Sequence, residues 1–447
     1  MVFSSLVFIC IFLPIVFLLY ICIDNMHIRN ALLIAASLLF YAYGEPIYIL
    51  LMLFSTIFNY FMALHVEDNK PMLILDVLVN VGLLVVFKYT DMIIQTVIGM
   101  GFTIPLTYIS LPIGISFFTF QSMSYVIDVY RKKVKPQRKY SNVLLYVSFF
   151  PQLIAGPIVK YRDIEQQIEN REVNEVEISQ GFQRFIIGLS KKVLISNTMA
   201  STVDTIFSLS SMNIFTAWIG AFAYLFQIYF DFSGYSDMAI GMGHIFGFTF
   251  LENFNYPYIS TSIKEFWRRW HISLSSWFKE YVYIPLGGNR KGAFRTSINK
   301  IIVFFITGLW HGANWTFVCW GLYHGLFSLM EQVIPIKKLP KVLGHIYTIL
   351  IVTIGFVIFR ADNMMQAIQY IHSMFTGFDF TTLTTTLNQC TPIFILTFIL
   401  ACIGCTPVFK KLKMESFVGY AYTMILFVLC LLSLSSGTYN PFIYFRF

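Results

Sequence analysis

The chain alternates long apolar runs with short charged islands. A helix rising 1.5 Å per residue needs about 20 mostly apolar residues to cross a hydrocarbon layer about 30 Å thick. Runs that approach or reach this length cover residues 2–23, 28–43, 47–65, 71–89, 104–127, 141–158, 212–230, 234–250, 299–331, 343–360, 391–408 and 417–436. Several are short or broken by Pro and Gly, which reduces the expectation to about ten or eleven crossings. No fixed-period repeat and no Pro/Ser-rich linker divides them, so a single membrane domain over 1–447 is expected. The first run has no basic segment before it and no Ala-x-Ala-like site after it. It reads as a span, not as a cleaved signal peptide.

Composition sharpens this picture. The 447 residues are 57% hydrophobic and 12% charged, about half the charged share of an ordinary soluble domain. A normal water-soluble globule, a disordered chain and a disulfide-rich secreted module are excluded. The expected fold class is an all-α polytopic membrane protein, with 47 Phe, 26 Tyr and 7 Trp supplying buried aromatic area and interfacial anchors. The net charge is +8, and most of the positive charge sits in islands at 131–139, 264–269, 290–300 and 410–413. Between apolar runs such islands mark cytoplasmic loops by the positive-inside rule, and no continuous basic face for nucleic acid is present. The seven cysteines lie mostly in apolar runs. Cys402 and Cys405 have no second pair and no flanking His, so they read as small packing groups and no metal site is expected.

Two stretches are too polar to cross. Residues 160–180 carry Arg162, Asp163, Glu165, Glu169, Arg171, Glu172, Glu175 and Glu177 and read as a solvated loop or surface helix. Residues 253–300 mix aromatics with charges, which fits an amphipathic helix at the cytoplasmic face or one dipping inward. On one helix Trp267, Trp270 and His271 share a face, with Arg268 and Arg269 turned towards a phosphate or carboxylate partner. The turn Pro285–Gly292, with Arg290 and Lys291, lacks P-loop spacing but suits a donor bearing a nucleotide.

The run Ile301–Met330 contains no Lys, Arg, Asp or Glu, and at about 45 Å it is too long for one straight crossing. Gly308, Gly312, Gly321 and Gly325 offer breaks. Beside the first stand Trp310, His311, Ala313, Asn314 and Trp315, with His311 about 15 Å along from Ile301. An ionisable group at that depth marks function by default, the competing reading being a neutral, hydrogen-bonded core histidine. Gly312 and Ala313 leave space for another molecule to approach the ring. A neutral imidazole suits the role of general base towards a hydroxyl. His324 reads first as a packing group. Asp231 and Asp237 read as carboxylates bonding backbone or hydroxyls at a helix break, and Gln152 with Gly156-Pro157 as another break. The aromatic tail at 437–447 is either an interfacial belt or a peptide folding back into a cavity.

Trp267–Ser276, Tyr281–Gly288 and Leu309–Asn314, supported by Gln152–Pro157 and Tyr229–Gly241, together resemble the membrane-bound O-acyltransferases. The resemblance is to the bacterial branch that O-acetylates alginate and peptidoglycan and includes the teichoic-acid D-alanyl transferase. It covers roughly residues 30–330, and the order of the motifs makes it specific. It implies a ring of tilted helices around a central acyl-transfer tunnel, with His311 as catalytic histidine and His271 as the branch's second histidine. It further implies acetyl-CoA as donor, an extracytoplasmic SGNH-like acyltransferase as partner, and residence in the cytoplasmic (inner) membrane. Trp267, Arg268, Trp270, Arg290, Lys291, Trp310 and Asn314 are its donor-site and tunnel candidates. Residues 442–447 resemble the C-terminal peptide of the small D-alanylation helper protein, which makes Tyr444 an acyl acceptor fused to this chain. With Lys410, Lys411 and Lys413 inside, the span 417–436 places that tail outside. The rival expectations are D-alanyl transfer to teichoic acid, a transporter of polysaccharide or small solutes, and a scaffold that only anchors a secreted partner.

Overall fold

The computed structural model describes residues 2–209, 211–377, 383–411, 413–437, 440 and 443, and all regular structure among them is helical. Among the described residues, four helices are long and apolar enough to cross a membrane: Lys70–Gly99, Ile214–Ile245, Lys341–Arg360 and Phe417–Ser435. Shorter apolar helices run over Phe8–Ile21, Ile49–His65 and Pro392–Gly404. Helix starts are fixed by side chains that accept from otherwise orphaned N–H groups: Asn25, Asn69, Ser262, Asn314, Asn363, Thr391 and Ser416. These residues punctuate an apolar sequence in which periodicity says little about boundaries.

The chain divides into two compact units, Met1–Phe185 with Ser236–Leu251 and Ile186–Tyr235 with Glu252–Phe447. In the first, Phe8, Phe12, Phe40 and Phe150 pack ring to ring. Asn59 and Asn80 exchange side-chain hydrogen bonds of 3.2 and 3.0 Å between Ile49–His65 and Lys70–Gly99. The run 104–127 is helical only from Ile115 to Tyr130, because Pro105 and Pro112 withhold backbone donors ahead of it. The run 141–158 falls into two short helices, Tyr140–Ser148 and Phe150–Leu153, ending at the break expected around Gln152 and Gly156.

Residues 160–180 are not simply solvated. The helix Tyr161–Glu169 buries Tyr161, Ile164 and Ile168. Arg171 is interior: its Nε donates to Tyr20 Oη at 2.9 Å and to the Phe246 carbonyl at 3.0 Å, and its guanidinium lies 4.5 Å from the Phe248 ring centre. A planar cation with aromatic faces and carbonyls around it is a stable buried arrangement that composition alone does not reveal.

Runs 212–230 and 234–250 are one continuous helix, Ile214–Ile245. No break occurs at Asp231 or Asp237. Each carboxylate meets a cation, Asp231 the Lys192 ammonium at 2.7 Å and Asp237 the Arg184 guanidinium at 2.9 Å, and Asp231 also takes the backbone N–H of Ile443. With its apolar window 72% buried, against 22% for Lys70–Gly99 and 17% for Phe417–Ser435, this helix is mostly interior and the other two leave most of their apolar windows exposed.

The second unit carries the long run 299–331 as a helical pair, Gly292–His311 and Trp315–Val333, broken where Gly312 turns extended. A Cβ on Gly308 would overlap the Phe317 carbonyl, and one on Gly321 the Phe304 carbonyl, so the two helices run antiparallel at backbone contact distance. Gly312 also differs from expectation. Its missing side chain admits the Phe317 ring, not an approaching second molecule. Gly308→Val is expected to lower the thermal midpoint in detergent, since overpacking of this kind costs about 1–3 kcal/mol. An unchanged midpoint would show that the pair can move apart freely.

Candidate functional site

The segment expected as one amphipathic helix is two. Ile263–Arg269 ends at Trp270, and His271 takes a left-handed conformation (φ 44°, ψ 57°) before Ile272–Phe278 begins. A neighbouring stretch causes the break. The Ile272 N–H donates to the Asn253 carbonyl at 2.9 Å, and the Asn255 N–H to the Arg269 carbonyl at 2.9 Å. Trp267, Trp270 and His271 therefore do not share a helix face. Left-handed backbone at a non-glycine residue is strained and persists only where its surroundings hold it.

Asn253 supplies that hold. Its Oδ1 accepts from the Ser273 N–H at 3.2 Å and Ser273 Oγ at 2.8 Å, and lies 3.1 Å from His271 Nδ1. An atom that accepts from a backbone N–H is an oxygen, so in this contact His271 Nδ1 is the donor. The neutral ring then presents a bare lone pair at Nε2, which has no hydrogen-bond partner among the described residues. Asn253→Ala strands these buried donors, and an unmet buried donor costs about 1–3 kcal/mol. The expected result is a lower thermal midpoint, and an unchanged one would show that Asn253 does not hold His271.

His311 is the last residue of Gly292–His311. The helix begins two turns earlier than expected, which places His311 about 30 Å from its start. Its ring centre lies 5.0 Å from Trp310, 5.0 Å from Trp320 and 5.2 Å from Phe359. The Trp310 indole also meets His271 at 5.9 Å, so one aromatic ring separates the two imidazoles. His271 lies edge-on to Phe232 at 4.5 Å. His271 is fully buried, while His311 keeps 6% of its surface accessible.

That surface faces a cavity of about 20 Å³, room for about one water. His311, Asp231, Trp270, Trp320 and Ile443 are among its lining residues. Its polar wall is Asp231, paired with Lys192, both side chains 1% exposed. Asp231 Oδ2 also accepts the Ile443 N–H at 2.9 Å.

The remaining candidates divide. Trp270 lines the cavity and Trp310 lies between the histidines. Trp267 packs against Trp320 and His324. Arg268, Arg290 and Lys291 are exposed, and Arg269 is tied to Glu265 and the Asn255 carbonyl. Asn314 caps the helix that follows it and donates to the Asp362 carbonyl at 2.8 Å, a structural task. Tyr444 lies outside the described residues, as does all of 437–447 except Gly437, Asn440 and Ile443. Sequence reasoning missed Lys192 and Asn253. The usable signals were a lone pair of lysines within an apolar stretch, and an Asn preceding a Trp/His motif.

Comparison with known proteins adds an independent line. The family model of the membrane-bound O-acyltransferases matches residues 33–359. The chain is 40% identical to the probable alginate O-acetylase of Pseudomonas putida, over 100% of both chains. It is 38% identical to the peptidoglycan O-acetyltransferase of Helicobacter pylori, over 84% of this chain and 80% of that protein. The teichoic acid D-alanyltransferase of Bacillus subtilis is 28% identical over 55% of this chain and 68% of its own length.

Proposed function

Because the chain belongs to the membrane-bound O-acyltransferase family, and so is an acyltransferase of the membrane, we propose that it carries acetyl groups from acetyl-CoA to a cell-surface polysaccharide. The nearness of the relatives favours acetyl over D-alanyl. The O-acetylating relatives of Pseudomonas putida and Helicobacter pylori match 84–100% of the chain at 38–40% identity, against 55% at 28% for the D-alanyltransferase of Bacillus subtilis. In this reading the protein sits in the cytoplasmic membrane, with residues 253–300 facing the cytoplasm and 437–447 entering from outside. An alginate-like polymer or peptidoglycan is the final acceptor, reached through an extracytoplasmic SGNH-like partner.

The chemistry follows from groups near the cavity. Acetyl-CoA places its phosphates near the exposed Arg268, Arg290 or Lys291, where charge-assisted bonds to phosphate are strongest. His311 takes the phenolic proton of Tyr444 as the phenol oxygen attacks the thioester carbonyl. The C–S bond breaks, the proton passes to the departing thiolate, and an acetyl ester remains on the tyrosine. Free tyrosine has a pKa near 10 and is un-ionised at neutral pH, so a positioned base is required. His271, oriented by Asn253, keeps its Nε2 lone pair available beside Trp310 for proton movement. The partner removes the ester and re-forms the phenol.

One observation carries the proposal: His311 and Ile443, the residue immediately before Tyr444, line the same cavity. The test is turnover of labelled acetyl-CoA by the full chain in proteoliposomes. Thioester cleavage with label retained on protein or acceptor supports the enzyme. Label accumulating inside without cleavage points to transport, and absence of both to a scaffold.

A further inference from the structure

We propose that the buried Lys192–Asp231 ion pair is a docking site for the chain's own C-terminal tail, gripping it by its backbone. The pair bonds at 2.7 Å with both side chains 1% exposed. A buried carboxylate has two oxygens to satisfy. Oδ1 takes the lysine, and Oδ2 takes the Ile443 N–H at 2.9 Å, 212 residues further along the chain. Three residues earlier in the tail, Asn440 Oδ1 accepts from Asn197 Nδ2 at 3.1 Å. Asn440 and Ile443 are thus each held, one by its side-chain amide and one by its main-chain N–H.

The supports are built in. Lys192 belongs to a π-helical turn, Lys191–Ser196, that leads directly into the helix Asn197–Phe207. Single π-helical turns of this kind are frequent at functional sites, and here one short stretch supplies both Lys192 and Asn197. Asp231 comes from the internal helix Ile214–Ile245. Ile443 is 7% exposed and joins the core formed by Tyr229, Trp270 and Trp320. A main-chain N–H is alike at every residue, so the Asn440 side chain held by Asn197, three residues earlier, is what sets the register and presents the Ile443 N–H to the carboxylate. That register places Ile443 on the cavity wall shared with His311. Lys192 and Asp231 are positioning residues. Docking stands independently of the acyl-carrier role proposed for Tyr444, whereas its effect on transfer rests on that role.

Two double variants of the full-length protein separate docking from plain stability. Lys192→Met with Asp231→Leu replaces the ion pair by apolar side chains, a change that buried pairs often tolerate, and removes the acceptor for Ile443. Lys192→Met with Asp231→Asn also removes the charges but keeps an acceptor oxygen. Carboxypeptidase trimming of the C-terminus, followed by intact-protein mass spectrometry in detergent, reads docking directly. Trimming is expected to be at least tenfold faster in the Leu variant and near the wild-type rate in the Asn variant, with acetyl turnover lost in the first and partly kept in the second. Equal trimming of both at the wild-type rate overturns the proposal. If the Leu variant does not yield a monodisperse protein, Asn197→Ala gives the same reading at the other anchor: faster trimming supports the dock and unchanged trimming sinks it. Tyr444→Phe keeps the two ideas apart. It is expected to leave trimming at the wild-type rate, so retained turnover in that variant would count against the carrier role and leave the dock standing.

Discussion

His311→Ala is expected to reduce acetyl-CoA turnover by about 10²–10⁴-fold, the usual contribution of a positioned general base, without loss of folded protein. The imidazole lies at a helix end between three aromatic rings and beside a cavity. Alanine therefore leaves a somewhat larger pocket. The donor should still bind, so KM for acetyl-CoA stays within a few-fold while kcat falls. The comparison is made with wild type and variant reconstituted at equal protein, with thermal midpoints measured alongside. Turnover above a tenth of wild type would remove His311 from the role of base. A fall in KM and kcat accompanied by an early unfolding transition would show a packing residue instead.

The second large effect is expected at the tail. Tyr444→Phe deletes one oxygen, the atom proposed to carry the acetyl group, and should leave transfer to the extracytoplasmic acceptor at background. Thioester binding should persist, since the donor-side residues are unchanged. Mass spectrometry of the C-terminal peptide, after rapid acid quench in the absence of a downstream acceptor, should find an added acetyl in wild type and none in the variant. Acetyl-free peptide from active wild type under every quench condition would eliminate the tyrosine relay, and direct transfer from thioester to an external hydroxyl would take its place.

How much of this was legible in the sequence differs by feature. The membrane class follows from composition, because a chain with 12% charge has no means of covering a soluble surface. The break near Gly312 was visible because the uncharged run exceeded one crossing. Its geometry was not visible, since whether a glycine opens space or admits a neighbour depends on the facing residue, here Phe317. The histidines were singled out by depth and by motif, yet the helix expected to display His271 on a common face stops at Trp270. Periodicity could not show this, because the breaking interaction comes from the backbone of 253–255. Asp231 and Asp237 read as partners for backbone or hydroxyls, which Asp231 is for the Ile443 N–H, but their cations were not visible. Lys192 and Arg184 lie far off along the chain, and only tertiary structure pairs them.

The left-handed backbone at His271 also decides how a mutational library at that codon will behave. A saturation screen scored only for properly inserted protein should not return substitutions ranked by size or polarity. It should favour Asn, Gly and Asp, which reach positive φ at least cost, and disfavour Val, Ile and Thr, whose branching excludes it. For a clean removal of the imidazole, His271→Asn is therefore a better instrument than alanine, because it changes the ring while respecting the torsion that carries it.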